Sequence, residues 1–395
     1  VNLVVYVSDA LRTDHLGCYG ARFVDTRTID GFAADGVRFA QAISVAPWTC
    51  PSTTSIVTGL YPHHHGVLHW DRALDPATPT LFTRAAEAGY AVGSFVFDEA
   101  FLFKGFAEAN VRGTSETLDG AIAFLREHAG RPFVLVFHSW ATHMPYLMPM
   151  GERREWLASK AEVLEGIQSD SASGLEALRE GYRQAVERQS EVLFASFLAE
   201  LDDLGLRDRT AVAFLADHGE SWGERFADKT AVRGIYHMHG ATLFDEVIEV
   251  PLLLRAPGLE PGVVGDQVRT VDVLPTLLEL AGLEPGPMDG ASLLPLVAGS
   301  ERGDRPAFVV GTDKGALSQL ALRVPPWKLV HHAATGREEA YRLDTDPRER
   351  LSVPGEVPGE LRDALYAELG SVEHEELSAE EEAVVTARLA DLGYL

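Results

Sequence analysis

Short runs of apolar, mostly β-branched residues alternate along this chain with stretches whose apolar positions recur every three or four residues, and most runs break at a glycine or a carboxylate. Asn2 to Ser8 reads as a strand buried on both faces that stops at Asp9. Thr28 to Gly36 predicts a helix, and Val37 to Val45 an extended segment. Thr80 to Ala88, stopped by Gly89, and Tyr90 to Phe97 form a helix and strand in succession; Leu118 to Gly130 and Phe133 to His138 repeat the pair. Gly174 to Leu204 carries a long helical stripe that includes Leu178, Tyr182, Ala185, Phe197 and Leu201. Thr210 to Leu215 predicts a strand, Ala241 to Glu246 a short helix, Val250 to Arg255 a strand, and Thr270 to Ala281 an amphipathic helix closed by Gly282. Alternation of this kind predicts an α/β fold with a mainly parallel sheet flanked by helices.

From about Gly299 the pattern changes. Phe308 to Gly311, Ser318 to Val324, Trp327 to His331 and Ala340 to Leu343 are short strands separated by turns, with no helices between them, as in an antiparallel sheet. The expected organisation is therefore a catalytic α/β domain over residues 1–298 and a smaller C-terminal subdomain over residues 299–395. Helices at Gly359 to Leu369 and Ala379 to Leu392 cap the second part.

The 395 residues, 46% of them hydrophobic, are ample for a large core. A formal net charge of −25 argues against nucleic acid or an anionic membrane surface as partner and favours bound cations. Cys18 and Cys50 are too few for a disulfide framework and fit no zinc spacing. No long apolar span or basic leader is visible, so the expectation is a soluble protein, with the cytoplasm favoured and an exported form with a removed leader left open. A homo-oligomer is also left open.

The chemistry is expected at strand ends, because the crevice of an open α/β sheet lies beyond the carboxyl ends of its strands. Asp9 ends the first strand, and Asp217-His218 ends the strand that runs to Leu215. Thr49 lies in Trp48-Thr-Cys-Pro51, where the proline two residues on and the glycine at position 59 suit a helix beginning near Pro51. Such a helix start attracts an anion. In isolation the segment reads first as an ordinary N-cap threonine, and only the rest of the chain changes that balance. Two carboxylates and an imidazole offer mixed oxygen and nitrogen ligation to one divalent ion, with Thr49 completing the set as an activated nucleophile. His143 and His239 follow later strand ends. His63-His-His65, between Tyr61-Pro62 and Gly66, reads as a native turn rather than a metal site, since three consecutive histidines on a loop cannot all face one ion. Asp14 and His15 read as turn and ion-pair residues.

In their shared order these segments resemble the sulfatase branch of the alkaline phosphatase superfamily over nearly the whole chain. Val7-Ser-Asp-Ala-Leu-Arg-Thr-Asp-His-Leu-Gly-Cys-Tyr-Gly20 resembles the family's opening metal strand, and Thr49 to Pro62 its nucleophile segment. Thr142-His-Met-Pro-Tyr146 is similar to its substrate-histidine loop, and Ala216-Asp-His-Gly-Glu220 to its second metal cluster. His239 to Pro251, Val271 to Thr276 and Tyr341 to Pro347 resemble later landmarks. The resemblance implies an alkaline-phosphatase-like fold and one divalent ion (Ca, Mn, Mg or Zn) held by Asp9, Thr49, Asp217 and His218. It further implies catalytic roles for Thr49, His143 and His239, and a substrate anion contacted by Thr53, His143, His237, His239, Lys229 and Arg233.

Two departures stand out. Family sulfatases carry Cys or Ser, any residue, then Pro-x-Arg, and the first residue is oxidised to formylglycine. Aligned on the Thr-Gly ending at Gly59, that first position is Thr49 and the arginine position is Thr53, so formylglycine is not expected. Ala10 replaces the second aspartate of the opening pair, as in phosphonate monoester hydrolase and phosphoglycerol transferase relatives. The expected activity is metal-dependent hydrolysis of small anionic phosphate, phosphodiester or phosphonate esters through a covalent intermediate on Thr49. The alternatives are a sulfuric ester hydrolase without formylglycine, a transferase, and an inactive scaffold that binds a metal or anion.

Overall fold

The apolar run at the start of the chain becomes strand β1 (Asn2–Ser8), buried along its whole length, as a strand with neighbours on both edges must be. The computed structural model describes residues 1–69, 72–96, 118–144, 146, 172–222, 239–240, 242–313 and 316–371. Strand β1 lies inside a seven-stranded sheet with β2 (Val37–Ile43), β3 (Ala91–Phe95), β4 (Phe133–Ser139), β5 (Thr210–Ala216), β6 (Glu249–Arg255) and β7 (Gly262–Arg269), in the order β3-β4-β1-β5-β6-β2-β7. Strands β3, β4, β1 and β5 run parallel, as do β2 and β7, while β6 is antiparallel to both of its neighbours. This is the mostly parallel, helix-flanked sheet that the alternating pattern predicts.

Register sets the position of the site. Ser8 lies opposite Ser139 on one side and Ala216 on the other. Asp9 and Asp217 therefore leave the sheet at the same level, and His138 sits one residue back on the neighbouring strand. Beneath them, Tyr6 packs its ring against Phe137, Phe194, Phe197 and Phe214 at 4.9–5.5 Å. The long helix predicted over residues 174–204 is present from Ala172 to Asp203 but loosens to π geometry at Gln189–Phe194. The buried Gln189 there accepts a hydrogen bond from Ser139 and donates one to the Tyr6 hydroxyl, a local adjustment that seats a polar side chain below the site.

Two local expectations are corrected, and one strand is unforeseen. The helix after the Thr49 loop begins at Thr49 itself and runs to Thr58, with Gly59 at φ +70° as its stop. The short helix expected at Ala241 to Glu246 forms at Asp245–Ile248, because the amides of Val247 and Ile248 bond back to the Phe244 carbonyl. Strand β7 has no counterpart in the sequence reading. It is an edge strand whose residues do not alternate cleanly between buried and exposed, so it carries no period-two signal.

A second, antiparallel sheet contains β8 (Ala307–Asp313), β9 (Ala316–Val324), β10 (Trp327–His332) and β11 (Arg337–Arg342), ordered β11-β10-β9-β8. It touches the Thr49 segment directly. The Val310 amide donates to the Val45 carbonyl at 2.9 Å, and the Trp48 indole to the Thr312 hydroxyl at 3.1 Å. Fully buried Lys328 bridges Asp245 at 2.9 Å and Glu349 at 2.5 Å, and Arg323 meets the same Asp245 at 2.9 Å. Removing the cation from between two largely buried carboxylates is costly. Lys328→Met is expected to destabilise the protein by about 3–5 kcal/mol, read from denaturant unfolding. The helix Gly359–Leu369 packs on β9 and β10; the helix expected at Ala379 to Leu392 lies outside the described residues. No helix among the described residues is long and apolar enough to cross a membrane.

Candidate active site

Each strand end contributes a side chain for a local reason. Asp9 is held by its amide, which donates to the Ser139 carbonyl at 2.9 Å, and by its carbonyl, which accepts from Thr142 Oγ1 at 2.6 Å. The next residue, Ala10, adopts the left-handed region at φ 56°, which turns the chain sharply off β1 and lets its amide donate to Asp217 Oδ1 at 3.2 Å. Tyr182 fixes that turn, its hydroxyl donating to the Ala10 carbonyl and accepting from the Arg12 amide. Asp217 Oδ1 also accepts from the His218 amide at 2.9 Å. Gly219 follows because an added Cβ would meet the Glu246 carbonyl oxygen at 2.1 Å.

Thr49 enters from the opposite direction at the head of its helix, every residue of which is buried. Its hydroxyl turns to the end of β5, Oγ1 lying 3.1 Å from His218 Nε2. Ser44 and Ser52 both donate to the Asp217 carbonyl, tying the helix to the end of β5. Thr49 is thus placed by the body of the fold rather than by a loose loop.

The cluster is rich in acceptors. His218 Nδ1 is 2.8 Å from the Gly219 carbonyl and must donate to it, so in the neutral ring Nε2 presents a lone pair. That lone pair faces Asp9 Oδ1 at 3.4 Å and Asp217 Oδ2 at 3.5 Å. Both Asp9 oxygens and Asp217 Oδ2 are buried with no hydrogen-bond partner. Burial, then the charges of Asp217 and Glu220, push the Asp9 carboxyl well above the usual carboxylate range. Buried carboxylate oxygens that converge on one point are costly unless positive charge lies among them. One donor atom each from Asp9, Asp217 and His218 lies within 4.8 Å of the others, and the donor set of two carboxylates and one imidazole fits a divalent ion.

Two residues of the cluster were not singled out from the sequence. His138 Nδ1 accepts from the Trp140 indole at 3.0 Å, so Nε2 carries the proton and points it toward Asp217 Oδ2 at 3.4 Å and Asp9 Oδ2 at 3.5 Å. Glu220 is buried, which pushes its carboxyl up to about 8; it accepts from Tyr146 at 3.1 Å and meets His239 Nδ1 at 3.2 Å. In the sequence His138 closes an apolar run and reads as strand. Only its register beside the residue before Asp9's neighbour, Val7 opposite His138, marks it.

The remaining candidates divide. His239 lies between His218 and His143, tilted against the first at 4.3 Å and edge-on to the second at 5.1 Å between ring centroids, and His143 Nδ1 donates to the Met144 carbonyl at 2.6 Å. Thr53 hydroxyl donates back to the Thr49 carbonyl at 2.7 Å, so the proton a bound anion would need is already committed. Lys229, Arg233 and His237 lie outside the described residues. Asp14 pairs with Arg12 and His15, as the turn and ion-pair reading has it.

A family model described as Sulfatase matches residues 1–283, well over half the chain. The chain belongs to the sulfatase family. A second model, described as N-sulphoglucosamine sulphohydrolase, C-terminal, matches residues 237–374. Among curated relatives, this sulfatase-family chain is 26% identical over 296 residues to the low-salt glycan biosynthesis sulfotransferase Agl7 of Haloferax volcanii, covering 74% of this chain and 64% of that one. The match thus spans less than two thirds of that relative. An ulvan-active sulfatase of Formosa agariphila is 25% identical over 441 residues, covering 99% of this chain and 81% of that one. Among solved structures, a protein in complex with its substrate D-glucosamine-2-N,6-O-disulfate superposes with TM-score 0.71 at 18% identity, covering 99% and 98% of the two chains. The phosphonate monoester hydrolase of Agrobacterium radiobacter gives 0.69 at 21% identity, covering 98% and 95%. At these identities the two structures establish the fold.

Proposed function

We propose that this sulfatase-family protein hydrolyses phosphate, phosphodiester or phosphonate esters with Thr49 as nucleophile and one divalent ion held by Asp9, Asp217 and His218 beside Thr49. The observation that carries the reading is the position of the Thr49 hydroxyl, at the buried head of a helix and 3.1 Å from His218 Nε2, within a cluster of buried acceptors. When bound, the ion would lower the hydroxyl pKa and offset charge on the transferred group.

Thr49 Oγ gives up its proton to solvent and forms a bond to phosphorus in line with the departing ester oxygen, whose bond to phosphorus breaks as it leaves. The first-turn amides of the Thr49 helix favour the equatorial oxygens. His239, steadied by Glu220, and His143, steadied by the Met144 carbonyl, are the imidazoles that donate a proton to the leaving oxygen or bind it. His138 holds its Nε2 proton toward the two carboxylates and orients them. Water then attacks phosphorus, the bond from phosphorus to Thr49 Oγ breaks, and a proton lost by the water restores the Thr49 hydroxyl.

The preference for phosphorus rests on the nucleophile. A formylglycine hydrate expels sulfate by collapsing to the aldehyde, an exit that an esterified threonine lacks. The second reading, a sulfuric ester hydrolase, is favoured by the relatives named as sulfatases, and transfer to an alcohol by the relative named as a sulfotransferase. Parallel turnover of aryl phosphate, phosphodiester, phosphonate and sulfate esters with added Ca, Mn, Mg or Zn separates them. Turnover of the phosphorus esters supports the proposal; release of sulfate alone replaces it with the second reading.

A further inference from the structure

The three histidines of His63-His-His65 divide in the structure. His65 turns inward, with Nε2 3.0 Å from Ser55 Oγ and Nδ1 accepting the Val67 amide at 3.1 Å. His63 and His64 meet partners from two other segments. His63 Nε2 lies 2.6 Å from Glu368 Oε1 on the helix Gly359–Leu369, and His64 Nδ1 lies 2.7 Å from Asp289 Oδ2. The two rings are 4.2 Å apart between centroids. One donor atom from each of His63, His64 and Glu368 lies within 4.8 Å of the others.

We propose that His63, His64 and Glu368 form a second metal site, separate from the Asp9 cluster, that takes a zinc-class divalent ion. The reason a loop of three histidines is a poor site does not apply here, because two of them converge with a carboxylate from a distant helix. Three features point to a ligand. The His63 side chain is fully enclosed with its Nε2 held against Glu368 Oε1 at 2.6 Å, so an imidazole nitrogen and a carboxylate oxygen already meet at one point. The Asp289 carboxylate, itself fixed by the Tyr61 amide at 2.7 Å, accepts from His64 Nδ1 and so leaves the Nε2 lone pair as the ligating atom. A carboxylate behind a metal-binding histidine is the usual way such a ring is oriented. Two imidazoles and one carboxylate with a fourth position for water suit zinc. The ion would clasp the segment after the Thr49 helix to the C-terminal helix.

The test uses the full chain, stripped with chelator and titrated with Zn²⁺, in a background of Asp9→Asn and Asp217→Asn that disables the other cluster. One zinc equivalent should bind and raise the unfolding temperature. His64→Ala, at a partly exposed ring, and Glu368→Gln should each weaken binding at least tenfold, as loss of a supporting contact alone commonly does. In the otherwise unaltered chain His64→Ala should lower bound zinc by one equivalent and leave ester turnover unchanged, so the result does not depend on the double variant folding. Zinc uptake and unfolding temperature indifferent to both His64→Ala and Glu368→Gln would overturn the site, as would an unaltered chain that binds no more zinc than His64→Ala. Neither outcome bears on the chemistry assigned to Thr49.

Discussion

Thr49→Ala is expected to reduce ester turnover by at least ~10³-fold while leaving the fold intact. The hydroxyl is directed at His218 Nε2 and not at the helix backbone, so the helix start does not depend on it. The ties that place the helix, Ser44 and Ser52 to the Asp217 carbonyl, are untouched. Thr49→Ser, which keeps the oxygen, should retain activity within about tenfold, because the loss tracks the nucleophile and not the methyl. Steady-state kinetics on the preferred ester, with unfolding temperature as control, separates the two effects. Equal loss in both variants would point to packing rather than chemistry, and undiminished turnover by Thr49→Ala would remove the threonine from the mechanism.

Removing charge from the buried pair should move activity and stability in opposite directions. Asp9→Asn, or stripping the protein with chelator, is expected to cost at least ~10²–10³ in turnover, since the cluster then lacks either a ligand or its ion. The metal-free protein should behave differently. Burial and the neighbouring Asp217 and Glu220 charges raise the Asp9 carboxyl, so the folded chain binds more protons than the unfolded one above the ordinary carboxylate range. Its penalty is absent at acid pH and grows as pH rises through the folded-state pKa. Metal-free wild type should therefore lose stability from acid toward neutral pH relative to Asp9→Asn, which lacks that penalty. Excess divalent ion should remove the difference. Denaturant unfolding at several pH values, with and without metal, reads this directly; a variant less stable than metal-free wild type at neutral pH would contradict it.

Much of this site is legible in the sequence because its parts sit where periodicity ends. Asp9 and Asp217 each terminate an apolar run, and parallel pairing in register necessarily brings such ends together. Thr49 is legible through Pro51 and Gly59, although the helix starts two residues earlier than the proline suggests. His138 is not legible, since a histidine inside a buried strand has the same sequence signature whether it packs or supports ligands. Strand β7 is hidden for the opposite reason, having an edge position and no alternation. The His63 and His64 pair reads as a plain turn in the sequence because its third member, Glu368, is 305 residues from His63.

The claim on which the account turns is that an unmodified threonine hydroxyl becomes esterified during turnover. Acid quenching of the metal-loaded protein in the presence of a rapidly cleaved phosphate or phosphonate ester, followed by mass spectrometry of the peptide spanning Thr49 and Cys50, measures it most directly. The account predicts a transient adduct on Thr49 with the mass of the transferred group, absent from Thr49→Ala. Active turnover with that peptide unmodified throughout, or with the adduct on Cys50, would contradict it.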